Sequence, residues 1–338
     1  MSAPDIDGFL ATTAWAGAER EALPGDASAR RYERLYRDGG SALLLIQPMS
    51  EGRSAYADAA RLADDDPLAV AAITQQLVQR GFSAPAVIAS DLDQGLILLE
   101  DLGDELFARV LEHSPSREAE LYGKAVDVLA AIYRSSFPAE MDYRGGVWRV
   151  GDYDADVLVA EANLLLDWYA PARDIAHDAG AREGWEAGWR EAFKALAAHA
   201  PGLVLRDFHA ENVFALDRDF EASVGLIDFQ DALFGHPAYD LVSLLQDARR
   251  DVDADVEAQC IGRFCHRARL PHNDDFRAAY HVLGAQRAAK ILGIFVRLAE
   301  RDGKERYLDF LPRVEGQFRR NLEHPALAPV RVWWEMHS

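Results

Sequence analysis

The chain contains almost no cysteine. Its 338 residues include two, Cys260 and Cys265, which lie five positions apart in a stretch of helical character. Side chains at that spacing leave a helix from different faces, so the two thiols are not placed to bond each other. We therefore expect neither a disulfide framework nor a zinc site.

Long uncharged apolar runs are missing as well. The N-terminal sequence MSAPDIDGFLATTAW has no basic start followed by an apolar core. The most apolar stretch, residues 289–299, is interrupted by Lys290 and Arg297. A secretion signal and a membrane-spanning helix are both disfavoured by these patterns, and we expect a cytoplasmic protein.

Positive charge is scarce. Lysine and arginine number 36 against 56 acidic residues, which gives a formal net charge of −20 and a pI near 4.9. Such a chain repels nucleic acid and anionic membranes, so we expect neither as a partner. It can still bind ATP when a divalent cation lies between its carboxylates and the nucleotide phosphates.

The composition and the residue patterns of the chain predict a globular α+β protein. Hydrophobic residues make up 49% of the chain and charged residues 27%, and the length suits two lobes with a core each. Strand-like runs at 43–46 and 96–99 flank a predicted helix at 67–80, whereas helical periodicity dominates from Glu118 onward. The polar, glycine-ended segment 99–103 separates the two patterns. We predict a small strand-rich N-terminal lobe, residues 1–101, and a larger, mostly helical lobe, residues 102–338.

One segment carries a chemically informative pattern. The motif LRDFHAEN, residues 205–212, is followed by GLIDFQ, residues 225–230, and supplies Asp207, Asn212 and Asp228. Phosphoryl transfer needs one group to orient a hydroxyl and accept its proton, and others to hold magnesium against the phosphates. A hairpin turning at 217–219 would bring Asn212 and Asp228 to the same end. Carboxylate and amide oxygens suit Mg²⁺ better than zinc.

These motifs resemble the aminoglycoside phosphotransferase and choline kinase superfamily, which shares the two-lobed protein-kinase fold. The resemblance implies an ATP- and Mg²⁺-dependent phosphotransferase with an alcohol group as acceptor. It also implies that Asp207 is the catalytic base and that Asn212 and Asp228 are magnesium ligands. The later motif GHPAYDL, residues 235–241, matches the family as well, and its Asp240 should brace the catalytic loop.

The small lobe matches the superfamily less completely. Residues 25–32 would form the turn over the phosphates, with Ser28, Arg30 and Arg31 as nucleotide contacts, while the main chain of Glu100 and Leu102 would bind the adenine. The family's small-lobe lysine is absent, because no lysine precedes Lys124.

The predicted helix 67–80 also lacks the glutamate that would pair with this lysine. Loss of both partners avoids an unpaired charge, so we expect a rearranged site in which Arg30, Arg31 or Arg53 replaces the lysine.

Within the superfamily, residues 166–169 and 205–251 most resemble the bacterial N-acetylmuramate/N-acetylglucosamine anomeric kinases of cell-wall recycling. This resemblance implies a small-molecule sugar substrate phosphorylated at C1. Candidate sugar contacts are Asp167, Arg206 and Asp231, and His209 either contacts the substrate or braces the loop. The alternatives are an aminoglycoside or other small-molecule O-phosphotransferase, a nucleotide-binding pseudokinase scaffold and a magnesium phosphohydrolase. The sequence leaves the oligomeric state open.

Overall fold

The computed structural model describes residues 4–24, 30–47, 56, 59–62, 66–175 and 177–338. The N-terminal elements are α1 (Ile6–Ala11), β1 (Glu19–Ala22), β2 (Arg31–Arg37), β3 (Gly40–Ile46), α2 (Pro67–Gln79), β4 (Val87–Asp91) and β5 (Leu96–Glu100). The strands form one antiparallel sheet in the order β1-β2-β3-β5-β4. This part of the structure confirms the predicted strand-rich region.

Strand β3 is apolar on both faces because both faces are covered. Leu45 belongs to the main core together with residues of α2. Leu44 and Ile46 lie on the other face, where Phe9 and Leu10 of α1 pack against the sheet. Alternation of side chains along a strand explains the division, and the apolar run predicted at 43–46 is a central strand.

Helix α2 begins and ends where its sequence predicts. The carboxylate of Asp66 accepts a hydrogen bond from the N–H of Leu68 at 2.8 Å, and Pro67 occupies the first turn. Both residues favour a helix start. The chain leaves the helix through Gly81, whose φ of 86° is unfavourable for residues with a side chain.

Helices dominate the rest of the chain. They are α3 (Phe107–His113), α4 (Glu118–Arg134), α5 (Ala155–Leu164), α6 (Ala179–Ala192), α7 (Ala238–Leu245), α8 (Ala254–Ala268), α9 (Asp274–Glu300), α10 (Leu311–Leu322) and α11 (Ala328–His337). A π-helical turn, Leu165–Tyr169, extends α5. Three antiparallel pairs join β6 (Glu140–Tyr143) with β7 (Gly146–Arg149), β8 (Gly202–Val204) with β11 (Leu233–Gly235), and β9 (Val213–Ala215) with β10 (Val224–Leu226).

The β9–β10 pair is the hairpin predicted from the motif spacing. Val213 lies opposite Leu226, and the N–H of Ile227 donates to the carbonyl of Asn212 at 3.2 Å. Asn212 and Asp228 therefore meet at one end of the hairpin. The N–H of Leu226 donates to the carbonyl of Ser83 at 2.8 Å, which attaches the hairpin to the N-terminal part.

Helix α9 is the central element of the helical part. It packs against α5, α7 and α10, and most of its side chains are buried. At its contact with α5, Gly293 faces Leu164 so closely that an added Cβ would lie 2.2 Å from the Leu164 carbonyl oxygen. Among the described residues, no helix combines the length and the apolar character that a bilayer crossing needs.

Gly293→Ala should destabilise the fold, because the added methyl group would force α9 away from the backbone of α5. We expect the free energy of unfolding to fall by about 1–3 kcal/mol, as is usual for overpacking in a core. Gly316→Ala is the matched control, since Gly316 lies in the α10 helix with open space around it. There alanine should stabilise by up to about 1 kcal/mol. Urea denaturation of both variants tests the contact, and equal stabilities would contradict it.

Candidate functional site

The loop that carries Asp207 is held by a buried carboxylate on α7. Asp240 accepts hydrogen bonds from the N–H of Leu205 at 2.7 Å and from the N–H of Arg206 at 2.9 Å. Arg206 has a φ of 73°, a backbone conformation that non-glycine residues adopt only when it is well supported. Burial raises the pKa of Asp240 to about 7 despite these two bonds. The prediction that Asp240 braces the loop is confirmed.

Asn212 connects the loop that carries Asp207 to Asp228. Its Nδ2 donates to the carbonyl oxygen of Asp207 at 3.0 Å and lies 3.4 Å from Oδ2 of Asp228. A carbonyl oxygen only accepts, so this contact fixes which side of the amide carries the nitrogen. The amide oxygen of Asn212 makes no hydrogen bond within the described part of the chain, which leaves it available to a cation.

The two aspartates differ in their electrostatic surroundings. Burial would raise the pKa of Asp207, but Lys290 and then Arg287 lower it, and the net pKa is below its ordinary value. For Asp228, burial and the negative charge of Asp207 raise the pKa, while Arg30 opposes the rise. Asp207 is therefore an ionised carboxylate, and Asp228 lies where additional positive charge would be favourable.

These residues fit a Mg²⁺ site completed by a nucleotide. Asn212 and Asp228 offer hard oxygen ligands, and the φ of Asp228, 61°, is a strained conformation of the kind found at functional sites. Within the described residues, no three acidic, histidine or cysteine side chains converge on one point. Magnesium commonly binds through one or two protein carboxylates plus substrate phosphates, so a two-residue site is sufficient.

Arg30 is the arginine that reaches this site from the N-terminal part. Its Nη1 lies 3.2 Å from Oδ1 of Asp228, and the Nε2 of buried Gln230 donates to the same oxygen at 3.1 Å. Arg31, the next residue on β2, is exposed. Ser28 and Arg53, the other residues predicted near the phosphates, lie outside the described residues. Arg30 is therefore the predicted arginine that the structure brings to Asp228, and its replacement of the family's lysine stays a prediction.

The predicted adenine-binding segment follows β5. The main-chain N–H of Glu100 donates to the carbonyl of Ala86 at 2.9 Å and is therefore already used within the protein. Its carboxylate bonds Arg218 at 2.6 Å and the N–H of Ala86 at 3.2 Å. Leu102 is buried, and its main-chain N–H and C=O form no hydrogen bond with another residue in the described part of the chain. That free pair of backbone groups is what a purine base requires, and the assignment of Leu102 to adenine stays a prediction.

His209 lies beside Asn212, one of the two predicted magnesium ligands. It is buried, and its Nε2 faces Nδ2 of Asn212 at 3.3 Å. Burial lowers the pKa of His209 to about 4, although the carboxylate of Asp247 opposes this shift. A neutral imidazole that accepts through Nε2 carries its proton on Nδ1. The geometry places His209 as a support for the Asn212 amide, the second of the two roles considered for it.

The three candidate sugar contacts occupy different environments. Asp167 is exposed on the π-helical turn and forms an ion pair with Arg182. Asp231 receives a 3.4 Å contact from Gln230 and therefore lies beside the Asp228 site. Arg206 is fully buried, where it pairs with Glu161. The structure thus brings Asp231 close to Asp228, whereas the side chain of Arg206 is buried in an ion pair with Glu161.

Sequence reasoning missed three buried charged residues near Asp207. Glu161 on α5 pairs with Lys290 on α9 at 2.8 Å. Arg287, one turn before Lys290, has its Nη2 3.9 Å from Oδ1 of Asp207 and donates to Ser243 at 2.8 Å. The sequence does carry a signal for these residues, because each is a charged residue within a strongly apolar helical stretch. Burying a charged side chain is costly unless it is paired.

Comparisons with known proteins agree with this geometry. The sequence pattern of the phosphotransferase enzyme family matches residues 19–279. An N-acetylmuramate/N-acetylglucosamine kinase of Caulobacter vibrioides is 40% identical over 97% of this chain and 94% of that protein. A kinase of the same name from Neisseria meningitidis is 30% identical over 90% of this chain and 86% of its own length.

A solved choline/ethanolamine kinase family protein from Mesorhizobium loti superimposes with a TM-score of 0.58. The two chains are 17% identical, and the match covers 94% of each. Sequence identity this low is evidence for a shared fold alone. The predicted two-lobed, protein-kinase-like fold is confirmed.

Asp228→Ala should abolish the effect of magnesium on nucleotide binding, because the phosphates would then meet unscreened negative charge at Asp207. We expect the affinity for ADP, measured by calorimetry, to rise with Mg²⁺ for the unmodified protein and to stay flat for the variant. Asp217→Ala, an exposed position in the turn of the same hairpin, should keep the full response. A normal magnesium midpoint in Asp228→Ala would contradict the ligand assignment.

Proposed function

Because the chain belongs to the phosphotransferase enzyme family, we propose that it transfers the γ-phosphoryl group of ATP to the C1 hydroxyl of N-acetylmuramate and N-acetylglucosamine. The observation that carries the proposal is 40% identity over 97% of the chain to a kinase with that name. It is supported by the meeting of Asp207, Asn212 and Asp228 at one end of a hairpin. We further propose a cytoplasmic role in peptidoglycan recycling.

Asp207 accepts the proton of the attacking hydroxyl. Its pKa lies below the ordinary value because Lys290 and Arg287 outweigh its burial, so the carboxylate is ionised and ready to accept a hydrogen bond. In a loose phosphoryl-transfer transition state the attacking oxygen carries little negative charge. One weakly basic carboxylate that positions the hydroxyl in line is therefore sufficient.

Asn212 and Asp228 are the residues that would hold magnesium. The Asn212 amide is oriented by its bond to the carbonyl of Asp207 and by His209. When bound, the ion neutralises phosphate charge and draws electron density toward the leaving group. Arg30 adds a further positive charge from the N-terminal part, and the main chain of Leu102 receives the base.

The C1 hydroxyl suits this site better than an ordinary sugar hydroxyl. The ring oxygen withdraws electrons from C1 and makes its hydroxyl the stronger acid. An aspartate whose pKa is lowered is a weak base, so an acidic acceptor lowers the demand on proton transfer. We accordingly propose the anomeric oxygen of both sugars as the nucleophile.

Asp207→Asn should fold normally and lose about 10²–10⁴-fold in kcat, the range for removal of a positioned general base. The amide keeps the size of the side chain but cannot accept the proton. Steady-state kinetics with N-acetylglucosamine, alongside thermal melting to confirm folding, measures the effect. The exposed variant Asp217→Asn should retain full turnover. Turnover within threefold of normal in Asp207→Asn would remove Asp207 from the mechanism.

The sugar product should be both acid-labile and non-reducing. A phosphate on C1 blocks ring opening, and mild acid releases it through a cation that the ring oxygen stabilises. A 6-phosphate survives the same treatment and still reduces copper reagents. Phosphate release in mild acid and a reducing-sugar assay on the purified product distinguish the two. An acid-stable, reducing product would show that the site presents another hydroxyl.

A further inference from the structure

The buried cations around the loop that carries Asp207 divide between two carboxylates. Arg206 pairs with Glu161, and the Nζ of Lys290 lies 2.8 Å from the same carboxylate. The third cation, Arg287 on α9, has its Nη2 3.9 Å from Oδ1 of Asp207. In the part of the chain that the structure describes, no other basic side chain comes within 4.0 Å of that carboxylate. Among these cations, Arg287 is therefore the one paired with Asp207.

A hydrogen bond from α7 holds the guanidinium in place. Nη2 of Arg287 donates to the hydroxyl of Ser243 at 2.8 Å, and Ser243 is fully buried. Ser243 lies three residues after Asp240, so the two side chains leave α7 on the same side. Asp240 in turn bonds the backbone of the loop just before Asp207. One face of α7 thus holds both the backbone of the loop and the cation beside its carboxylate.

The remaining donors of Arg287 indicate a role beyond packing. Its Nε and Nη1 are buried and form no hydrogen bond within the described residues. Buried polar groups are normally hydrogen-bonded, because leaving them unpaired costs stability. Arg206, by contrast, pairs with Glu161 and donates to two main-chain carbonyls. A residue that departs from this rule is expected at a functional site more than at a purely structural position.

The contact with Arg287 leaves the carboxylate of Asp207 available for reaction. A separation of 3.9 Å is longer than a hydrogen bond, so Arg287 attracts Oδ1 without occupying one of its lone pairs. Asp207 is half-buried, and its carboxylate oxygens accept no hydrogen bond from any other described residue. Attraction of Oδ1 therefore orients the side chain and leaves Oδ2 unoccupied by the protein.

We propose that Arg287 is a positioning residue, which orients the carboxylate of Asp207 so that Oδ2 faces the acceptor hydroxyl. This rests on the proposed function. As the hydroxyl oxygen bonds to phosphorus, the bond from phosphorus to the ADP oxygen breaks and the hydroxyl proton passes to Oδ2. Positioning supplies much of the rate in such a reaction. Arg287 lies beyond residue 279, where the family match ends, so the family pattern does not assign it this role.

Two substitutions separate the charge of Arg287 from its hydrogen bond. Arg287→Gln removes the charge but can still donate to Ser243, so it should fold. We expect its kcat to fall by about 10²-fold, as for a reacting group displaced by roughly 1 Å. The KM values for ATP and N-acetylglucosamine should stay within about threefold, because neither substrate contacts Arg287. Arg287→Lys keeps the charge that acts on Asp207, and its kcat should exceed that of Arg287→Gln by about tenfold.

Arg277→Gln is the matched control. Arg277 lies on the same helix, α9, and pairs with Asp274 at 3.4 Å on an exposed surface. Its loss removes the same charge from the chain at a distance from Asp207, so kcat should not change. Thermal melting of each variant confirms that it is folded.

A double-substitution cycle tests whether Arg287 acts through Asp207. In the Asp207→Asn background, Arg287→Gln should change kcat by less than about threefold, because the amide has no charge for the arginine to orient. A loss of about 10²-fold in both backgrounds would show that Arg287 acts independently of Asp207. That result would contradict the positioning role.

Crystal structures separate this inference from the choice of sugar. We expect one orientation of the Asp207 side chain in the unmodified protein, with Oδ1 toward Arg287. In Arg287→Gln the carboxylate should take a different rotamer or several, while the loop backbone keeps its path because Asp240 still holds it. This readout requires no acceptor. It therefore holds even if neither sugar is phosphorylated, a result that would refute the proposed function alone.

Three results would overturn the role of Arg287. The first is the same single orientation of Asp207 in the unmodified protein and in Arg287→Gln. The second is normal kcat in Arg287→Gln, or equal losses in the Gln and Lys variants. The third applies even if Arg287→Gln does not fold: Arg287→Lys should keep the orientation of Asp207, and a changed orientation there would contradict the proposal.

Discussion

The burial of Glu161 is the constraint on which the arrangement around Asp207 depends. A carboxylate that water cannot reach must receive hydrogen bonds or ion pairs from the protein. Here the donors come from α9, from the chain before α5 and from Arg206, the residue before Asp207. Arg206 consequently cannot move without leaving a buried charge unpaired. Its guanidinium also donates to the carbonyls of Ala60 and Asp231. Through Arg206, this ion pair is thus connected to the N-terminal part, to the loop that carries Asp207 and to the segment after Asp228.

A second carboxylate, Asp240, fixes the direction of the same loop. Its two bonds to the N–H groups of Leu205 and Arg206 hold the backbone in a left-handed turn just before Asp207. The loop is therefore held through the Arg206 side chain by Glu161 and through its backbone by Asp240. Rigid positioning of this kind supplies much of the rate in phosphoryl transfer, where the protein does little covalent chemistry. Both supports come from helices of the C-terminal part, since Glu161 lies on α5 and Asp240 on α7.

The sequence predicts the local parts of this site and misses the distant ones. Asp207, Asn212 and Asp228 could be placed together because they flank one short hairpin whose register follows from its apolar strands. Asp240 follows within the same continuous motif. Glu161 and Lys290 could not be paired, because they lie on separate helices whose contact is set by tertiary packing. For the missing lysine, the sequence narrowed the substitute to three arginines, and the geometry favours Arg30, since Arg31 lies on the exposed side of β2.

We propose that these supports serve phosphoryl transfer to an amino sugar. The most direct measurement is ADP release with ATP and Mg²⁺ across a panel of acceptors that includes both N-acetylated sugars, their parent hexoses and kanamycin. We expect ADP formation that requires N-acetylmuramate or N-acetylglucosamine and stops in their absence. ADP release without any acceptor would indicate a phosphohydrolase, and release with kanamycin alone would indicate an antibiotic-modifying enzyme. No release with any acceptor, despite nucleotide binding, would indicate a scaffold and contradict the account.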